Sequence, residues 1–441
     1  MKRPLYLTVF LFLLSACSTY HMQVQKSVEE MRGGNFEAAS SFIKERAFLE
    51  SGDQVAYLLD YALLEHYAGN FEESNHAFHL AEELTEIKDY ISLSDEASSM
   101  VFSESMVAYK GDDYEKILIN IFKAINYVAL NEDEAALVEI RKLNDKLNAY
   151  RNQAGREYSD NPLAHYLAAI LWEKQKSWDD SCIEYEKFYE LSPNFPGIGD
   201  DLIFCSFVSQ RWEKHRKWKK LFRVDNYSAK QAKERKKQKD ILYISYQGMG
   251  PVKVPNPAWP RLPMLVPRDS IHTYESAYAL GKSNLASRTI LNIDKLAIDA
   301  FEEQFGKLLA KRIAARVAKD QIRQKIKEDD QGAAFLAMII MDVTDQADLR
   351  QWTMLPKLIQ LSKVPLNHSE NKLVNIQTRR EVIELHSSTK KIKAFTNPSS
   401  VNLQPTNQKL QIVLSKDQYL VFPKLLRSSE MTLEPASLDE K

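Results

Sequence analysis

Three aspartates in the second half of the chain are the first candidates for chemistry. Asp342, Asp345 and Asp348 lie close to Arg350 and Trp352. Neighbouring carboxylates can do general acid–base work when burial drives their pKa values apart. The alternative is structural: Asp348 and Arg350 pair or cap backbone groups, and Trp352 packs beside them at a junction between helix and strand. We favour the structural interpretation.

Three histidines are the second candidate. His76 and His79 lie three residues apart on a predicted helix, and His66 lies one helix earlier. Imidazoles at this spacing can share a metal ion, but no H-E-x-x-H motif accompanies them, so we interpret them as solvated repeat surface. The sequence also lacks a P-loop, a dinucleotide fingerprint and a Gly-x-Ser-x-Gly elbow. We therefore expect no metal, no cofactor and no enzyme.

The N-terminus carries the clearest chemical signal. A basic pair and an apolar run ending at Leu14 precede Ser15, Ala16 and Cys17. The run is about ten residues long, too short to span a bilayer, and the pattern resembles a bacterial lipobox. The resemblance implies cleavage after Ala16 and a diacylglyceryl thioether on Cys17, with firm attachment to a lipid bilayer through two or more acyl chains. The alternative is a plain secretory signal with an incidental cysteine.

The residues after the signal refine the expected compartment. In lipoproteins of double-membraned bacteria, Asp after the acylated cysteine commonly retains the protein at the inner membrane, and this chain has Ser18. We therefore expect the outer membrane and its periplasmic face, with surface exposure left open. Cys182 and Cys205 would then lie in a compartment that permits disulfides. We favour two buried thiols, and a bridge between neighbouring helices stays open.

A recurring phrase organises the first half. The residues Gly-Asn-Phe-Glu at 34–37 return at 69–72, thirty-five residues later. That spacing is close to the tetratricopeptide period, and weaker copies lie at 111–115 and 177–181. We predict tetratricopeptide-like helical repeats over 31–218, with a closing helix near 198–218. The aromatic residues expected to plug the helix pairs are Phe36, Phe71, Tyr114 and Trp178.

Stacked helix pairs present a concave groove suited to peptides and helices. We favour a separate protein or peptide partner in this groove, and the alternative occupant is the chain's own second half. A basic segment follows, with thirteen Lys or Arg between Arg211 and Lys239. We interpret 219–239 as a basic linker after a solvated helix end, although anionic lipid headgroups or wall polymers could attract it. Nucleic acid is not expected, because the whole chain has a formal net charge of −1.

The second half reads as an α+β domain over 240–427 with a β-rich end. A β-branched and aromatic run begins at Ile241, an edge strand is predicted at 262–266, and a long helix at 294–327. A second helical segment covers 333–341, and strands are predicted at 358–364, 373–377, 381–386, 410–414 and 419–422. The rest of the layout is a signal peptide at 1–16, a lipidated tether at 17–30 and a mobile tail at 428–441. The expected fold class is mainly α, with an N-terminal tetratricopeptide-like α-solenoid followed by the α+β domain.

Two phrases in this half carry a resemblance. Gly248, Pro251 and Lys253 match a Gly-x-x-Pro-x-Lys turn, and Asp348, Arg350 and Trp352 lie in a segment that runs from Thr344 to Leu355-Pro356. The chain resembles an uncharacterised bacterial lipoprotein family with a repeat-like helical N-terminal half, and it departs from that family's pattern at Asp345 and Gln351. Genes of the family often lie near those of penicillin-binding-protein activators, which implies an envelope role.

These features predict a membrane-anchored bacterial lipoprotein that acts as a non-enzymatic, protein-binding adaptor in the cell envelope, in cell-wall synthesis or its regulation. Two alternatives stay open. One is a hydrolase acting on the wall with the Asp348 region as its site, and the other is an assembly factor for an outer-membrane or secretion complex.

Overall fold

The structure is a computed structural model that describes residues 19–94, 108–154, 160–268, 272–280, 283–306, 308–310, 347–366, 374–386, 389–396, 399–403, 410–416 and 433–435. Several predictions fall outside these residues. They are the lipidation at Cys17, the signal peptide, the helix at 333–341, the aspartates 342 and 345, the strand at 419–422 and most of the tail. The second part of the predicted helix at 294–327 also lies outside them.

Successive helices in the first half pack side by side as pairs. Their bounds are α1 (Thr19–Arg32), α2 (Phe36–Phe48), α3 (Gln54–Ala68), α4 (Phe71–Ser94), α5 (Asp113–Ala129), α6 (Asp133–Ala154), α7 (Pro162–Lys174), α8 (Trp178–Leu191), α9 (Ile198–Val208), α10 (Trp212–Phe222) and α11 (Ala229–Lys237). The contacts run from each helix to the next, as in a solenoid whose units touch only their neighbours. This arrangement is the tetratricopeptide-like α-solenoid that the repeated phrase predicts.

The repeated phrase forms the turn inside the first, second and fourth helix pairs, whereas its copy at 111–115 precedes α5, the first helix of the third pair. Gly69 ends α3 with a left-handed backbone, φ 84°, which glycine adopts without a Cβ clash, and its N–H donates to the carbonyl of His66 at 3.1 Å. Phe71 then opens α4. Inside this pair Ser74 donates to the carbonyl of Ala62 at 2.7 Å, and the fourth pair repeats the bond from Ser181 to Ala169 at 2.8 Å. Small residues at these positions let the two helices cross closely.

Three predicted helix boundaries need correction. The expected tether at 17–30 belongs largely to α1, because Tyr20, Val24, Val28 and Met31 recur at helical spacing and are all buried. The single closing helix at 198–218 is two helices, α9 and α10, divided where Gln210 takes a left-handed φ of 58°. The basic linker at 219–239 contains α11, which begins with a capping box from Ser228 and Gln231.

Cys182 and Cys205 form a disulfide, so the favoured expectation of two separate thiols is wrong. Both cysteines are buried, as that expectation required. However, α8 and α9 are neighbouring helices, and their packing brings the two Cα atoms to 5.3 Å, within disulfide range. The bridge therefore joins the fourth repeat to the helices that close the stack.

Among its described residues, the second half contains two sheets, a hairpin and a helix. The strands are β1 (Lys239–Met249), β2 (Val252–Pro255), β3 (Pro263–Val266), β4 (His272–Leu280), β5 (Ser283–Ala286), β6 (Arg288–Asn292), β7 (Pro356–Leu366), β8 (Val374–His386), β9 (Thr389–Thr396), β10 (Ser399–Leu403), β11 (Leu410–Lys416) and β12 (Leu433–Pro435). Helix α12 follows β6 and covers 293–306. The chain is therefore mainly α, with a solenoid followed by an α+β part whose C-terminal end is β-rich.

The first sheet has the strand order β11-β1-β7-β6, with β1 parallel to β11 and antiparallel to β7. The second has the order β12-β10-β8-β4-β5, with β9 also paired to β8. The predicted edge strand is β3, which pairs with β2 in a separate hairpin where Pro255 lies opposite Pro263. The strands predicted at 373–377 and 381–386 are one strand, β8, and the sequence did not predict β2, β4, β5, β6, β9, β10 or β12. Of these, β12 lies within the predicted mobile tail and pairs with β10.

Candidate functional site

The inner face of the solenoid carries the chain's own second half. The first helices of the pairs, α1, α3, α5 and α7, line this face. Residues 347–355, which connect to β7, lie against α1, α3 and α5, and β1 lies beside them. Of the two occupants weighed from the sequence, the chain's own segment fills this part of the groove. A separate partner must therefore use another surface of the array.

Two buried carboxylates hold the backbone of this segment. Glu115 Oε1 accepts the backbone N–H of Trp352 at 2.6 Å, and Asp60 Oδ1 accepts that of Met354 at 2.8 Å. Thr353 and Met354 form a turn, and both donors are directed at the solenoid. The hydroxyl of Tyr20 adds a bond to the carbonyl of Gln351 at 2.6 Å. The groove thus holds its own chain through backbone hydrogen bonds, as a receptor holds a peptide.

Burial changes the proton affinity of these carboxylates. It raises the pKa of Asp60 to about 8, although the backbone hydrogen bond from Met354 works in the opposite direction. Burial and the neighbouring charge of Asp112 raise the pKa of Glu115 as well. Both groups make hydrogen bonds within the protein, and the neighbouring Tyr20 and Trp352 are buried with them. The raised pKa values of Asp60 and Glu115 therefore follow from the packing of the interface between the two halves.

The two phrases that carry the family resemblance meet at this site. Lys253 donates from Nζ to the carbonyl of Arg350 at 2.9 Å and pairs with Asp112 at 2.7 Å. Burial alone would lower the pKa of Lys253, but the carboxylates of Asp112 and Glu115 raise it, so the ammonium stays charged. Gly248 takes a left-handed φ of 64° in β1, and Pro251 accepts a hydrogen bond from the side chain of Gln351. The lysine therefore neutralises the buried acidic pocket of α5.

Arg350 joins the inserted segment to the loop before α3. Its guanidinium donates to both carboxylate oxygens of Asp348, at 2.8 and 2.7 Å. It also donates to the carbonyl of Gly52 and to the carboxylate of Asp53, each at 3.1 Å. Such bidentate bonds are strong and fix direction. Asp348 is thus used in a structural ion pair, as the favoured interpretation predicts.

Trp352 is the apolar anchor of the segment. Its side chain is 1% exposed and packs against the rings of Phe78 and Phe122, with centroids 5.5 and 5.6 Å away. His66 lies beside the same cluster and bonds the hydroxyl of Tyr246 in β1 at 2.8 Å. Burial lowers the pKa of His66 to about 4, so its imidazole is neutral at pH 7. A tryptophan in a closed aromatic pocket is the usual form of a binding hot spot.

A third contact between the halves lies at the other end of the inner face. Lys363 of β7 pairs with Asp201 of α9 at 2.6 Å. Arg235 of α11 pairs with the same aspartate at 3.1 Å, with Glu173 at 3.1 Å and with Asp240 at 3.2 Å. This network could not be predicted from the sequence, because its members are scattered along the chain. It holds α7, α9, α11, β1 and β7 together.

The predicted plug residues lie between helices. Phe36, Phe71 and Tyr114 are buried. Trp178 is only half-buried, where its ring lies edge-on to Phe204 and beneath the ammonium of Lys236 at 5.1 Å. These four side chains pack the array and do not converge on a site.

The histidine cluster does not form a site in the described residues. His76 and His79 are exposed, and His76 stacks on Phe48, whereas His66 points into the core. Within the described ranges, no three His, Cys, Asp or Glu side chains are grouped in a way that could hold a metal ion. None of the helices in these ranges is long and apolar enough to cross a membrane.

An open groove on the array lies between α2, α3 and α4. It has a volume of about 710 Å³, and its lining includes the carboxylates of Glu37, Glu65, Glu72 and Glu73 against one ammonium, Lys44. Tyr61 at its floor donates to Glu73 at 2.8 Å. Glu37 and Glu72 are exposed, so their charges reach the solvent. We call this feature the acidic groove.

Of the comparisons with known proteins, the one with solved structures gives matches. No known protein family and no curated protein matches the sequence. Among solved structures, MamA 41-end from Desulfovibrio magneticus RS-1 is 14% identical, with 47% of this chain and 97% of that chain covered and a TM-score of 0.31. BtubC (BKLC) from P. vanneervenii is 12% identical, with 46% and 80% covered and a TM-score of 0.30. At these values the similarities carry no argument, and the tetratricopeptide-like arrangement rests on the helix pairs described above.

Proposed function

We propose that this protein is a lipid-anchored, non-enzymatic adaptor of the bacterial cell envelope that binds a protein partner through its helical array. The lipobox-like residues before Cys17 support the anchor, and Ser18 supports the periplasmic face of the outer membrane. The family resemblance supports a process in cell-wall synthesis or its regulation. The protein would hold its partner at the membrane and would not transform it chemically.

One observation carries the adaptor proposal: the inner face is already filled. Asp60 and Glu115 accept backbone N–H groups of this chain's own segment, and Trp352 packs against Phe78 and Phe122. The segment thereby joins α1, α3 and α5. The array is then a rigid platform whose outward surfaces are available for a partner, as solenoids commonly are.

The acidic groove is the surface we assign to the partner. Its lining carries four carboxylates and one ammonium, so charge complementarity favours a segment that bears Lys or Arg. Tyr61 and Leu130 also line the groove. They would give a basic segment an apolar contact beside the carboxylates, and such mixed surfaces are typical of interfaces.

The rival hydrolase would need a free acid or base at Asp348. Asp348 instead accepts two hydrogen bonds from Arg350, and the pair is tied to the loop before α3. Purified protein incubated with peptidoglycan, with Asp348→Ala as the control, tests this rival. Release of wall fragments that is lost in the variant would sink the adaptor proposal.

Charge reversal tests the adaptor proposal itself. In cells, crosslinking followed by isolation of the lipidated chain should recover a partner, and Glu72→Lys with Glu73→Lys should abolish that product. The matched control is Glu83→Lys with Glu86→Lys, which makes the same charge change at exposed positions of α4 outside the groove lining. Equal recovery from both double variants, with equal melting temperatures, contradicts the proposal.

A further inference from the structure

Helix α10 turns a basic face to the solvent. His215 and Trp218 are buried on its inner side, where Phe222 also packs. The opposite side carries Arg216, Lys217 and Lys220, all exposed. The aromatic residues and the cations that alternate in the sequence therefore lie on different sides of the helix. Trp218 packs on the inner side, and the cations form the outward face.

The same sign of charge continues beyond α10. Arg223 at its C-terminal end and Lys230 and Lys233 on α11 are exposed, against the exposed anions Glu213, Asp225 and Glu234. The cations Arg216, Lys220, Arg223, Lys230 and Lys233 form no ion pair with any described residue. Arg235 differs, because it points inward to three carboxylates.

The exposed cations of α10 and α11 do not serve to stabilise the fold. Arg216 and Lys220 lie four residues apart on one helical stripe, and like charges at that spacing destabilise a helix. Arg235, by contrast, has a structural role, because it forms ion pairs with three carboxylates inside the protein. Within the part of the chain that the structure describes, the outward cations form no such pairs and face the solvent, where a ligand could reach them.

Two apolar side chains flank the basic face. Trp212 is 49% exposed and Leu221 is 50% exposed, and helical geometry places them on either side of Arg216 and Lys220. Tryptophan prefers the headgroup level of a bilayer, and clustered Lys and Arg attract anionic lipids. We propose that the outer face of α10, continued by α11, binds the surface of a bilayer that contains anionic phospholipids.

This contact is separate from the acyl anchor proposed at Cys17 and from the acidic groove. The anchor precedes α1, whereas α10 and α11 close the other end of the solenoid. A chain held at both ends of its array would lie along the membrane rather than extend from it. If the acyl anchor at Cys17 proves wrong, the membrane contact through α10 and α11 can still be tested, and the reverse also holds.

Vesicle sedimentation tests the proposal. The mature polypeptide from residue 17 onward, with Cys17→Ser so that no acyl chain is added, is mixed with vesicles of phosphatidylcholine alone or with about one third phosphatidylglycerol. We expect binding to the anionic vesicles only, with a loss of at least tenfold in Arg216→Glu with Lys220→Glu, since each cation near the surface contributes measurably. Added salt should weaken binding, because it screens the attraction.

The matched control is Arg46→Glu with Arg141→Glu, two exposed cations on α2 and α6. This variant should bind anionic vesicles like the parent, and circular dichroism should show equal folding for all chains. Trp212→Ala, which changes no charge, should reduce binding by a smaller factor. Equal binding to neutral vesicles, equal losses in both double variants, or binding to a DNA oligomer without binding to vesicles would each overturn the proposal.

Discussion

Trp352 is the residue whose removal should weaken the association of the two halves most clearly. Its side chain is 1% exposed and packs between Phe78 and Phe122. Burying a tryptophan removes about 150–250 Å² from water, which at about 25 cal/mol per Å² corresponds to roughly 4–6 kcal/mol as an upper value. Truncations of buried aromatics cost about 3–5 kcal/mol. We therefore expect Trp352→Ala to lower the free energy of unfolding by about 3–5 kcal/mol.

The alanine variant isolates the packing contribution. Its backbone N–H still reaches Glu115, so the hydrogen bond at 2.6 Å is not removed. Trp352→Phe should cost roughly 1–2 kcal/mol, because a ring remains in the pocket and the indole N–H has no hydrogen-bond partner among the described residues. The control is Trp212→Ala, whose side chain is 49% exposed and should change stability by less than about 1 kcal/mol.

Urea unfolding followed by far-ultraviolet circular dichroism measures the free energy of unfolding of all three variants. An unchanged dependence of this free energy on urea concentration shows that the variants unfold by the same reaction. The order expected is Trp352→Ala, then Trp352→Phe, then Trp212→Ala. Equal costs for the two alanine variants would refute the reasoning, because Trp352 would then lie outside a packed pocket.

Three further predictions follow from buried or modified groups. Burial raises the folded-state pKa of Asp60 to about 8, so its contribution to stability is complete below about pH 4 and is lost as the pH rises through about 8. Asp60→Asn should therefore become more stable relative to the parent as the pH rises from about 5 to 8. A difference in the free energy of unfolding between variant and parent that urea unfolding shows to be constant over this range argues against the prediction. Cys182→Ser should lower the free energy of unfolding by about 2–4 kcal/mol, as should reduction of the bond to Cys205, and a parent melting temperature insensitive to reductant contradicts this. Cys17→Ser should yield uncleaved precursor without palmitate label, because a hydroxyl is a poor substitute for the thiolate; label uptake by the variant rules out the lipobox interpretation.

The repeat half was predictable because its signals are local. A glycine turn followed by an aromatic residue marks the first two pairs, and α2, α4 and α8 begin at Phe36, Phe71 and Trp178. Helix α1 was missed because charged residues surround its apolar stripe and it directly follows the expected lipidation site. The disulfide was left open because its geometry depends on how α8 packs against α9, which no spacing in the sequence determines.

Of the two sides of the candidate site, only the inserted segment with Asp348 and Arg350 was predictable from the sequence. The pairing of Asp348 with Arg350 is a local feature, two residues apart, and the structure shows that pair. The acceptors of the neighbouring backbone, Glu115 and Asp60, lie 237 and 294 residues away from Trp352 and Met354. Nothing in the sequence distinguishes these carboxylates from other helix residues, so the occupant of the inner face could be found only from the fold.

The chain itself fills the inner face, and we propose that the partner binds at the acidic groove. The most direct test places a photo-reactive amino acid either at Ser41, which lines the groove and is exposed, or at Thr353, which lies in the inserted segment. After irradiation of cells, we expect a crosslinked partner from position 41 and only crosslinks within the chain from position 353. A partner captured from position 353 and absent from position 41 would contradict it.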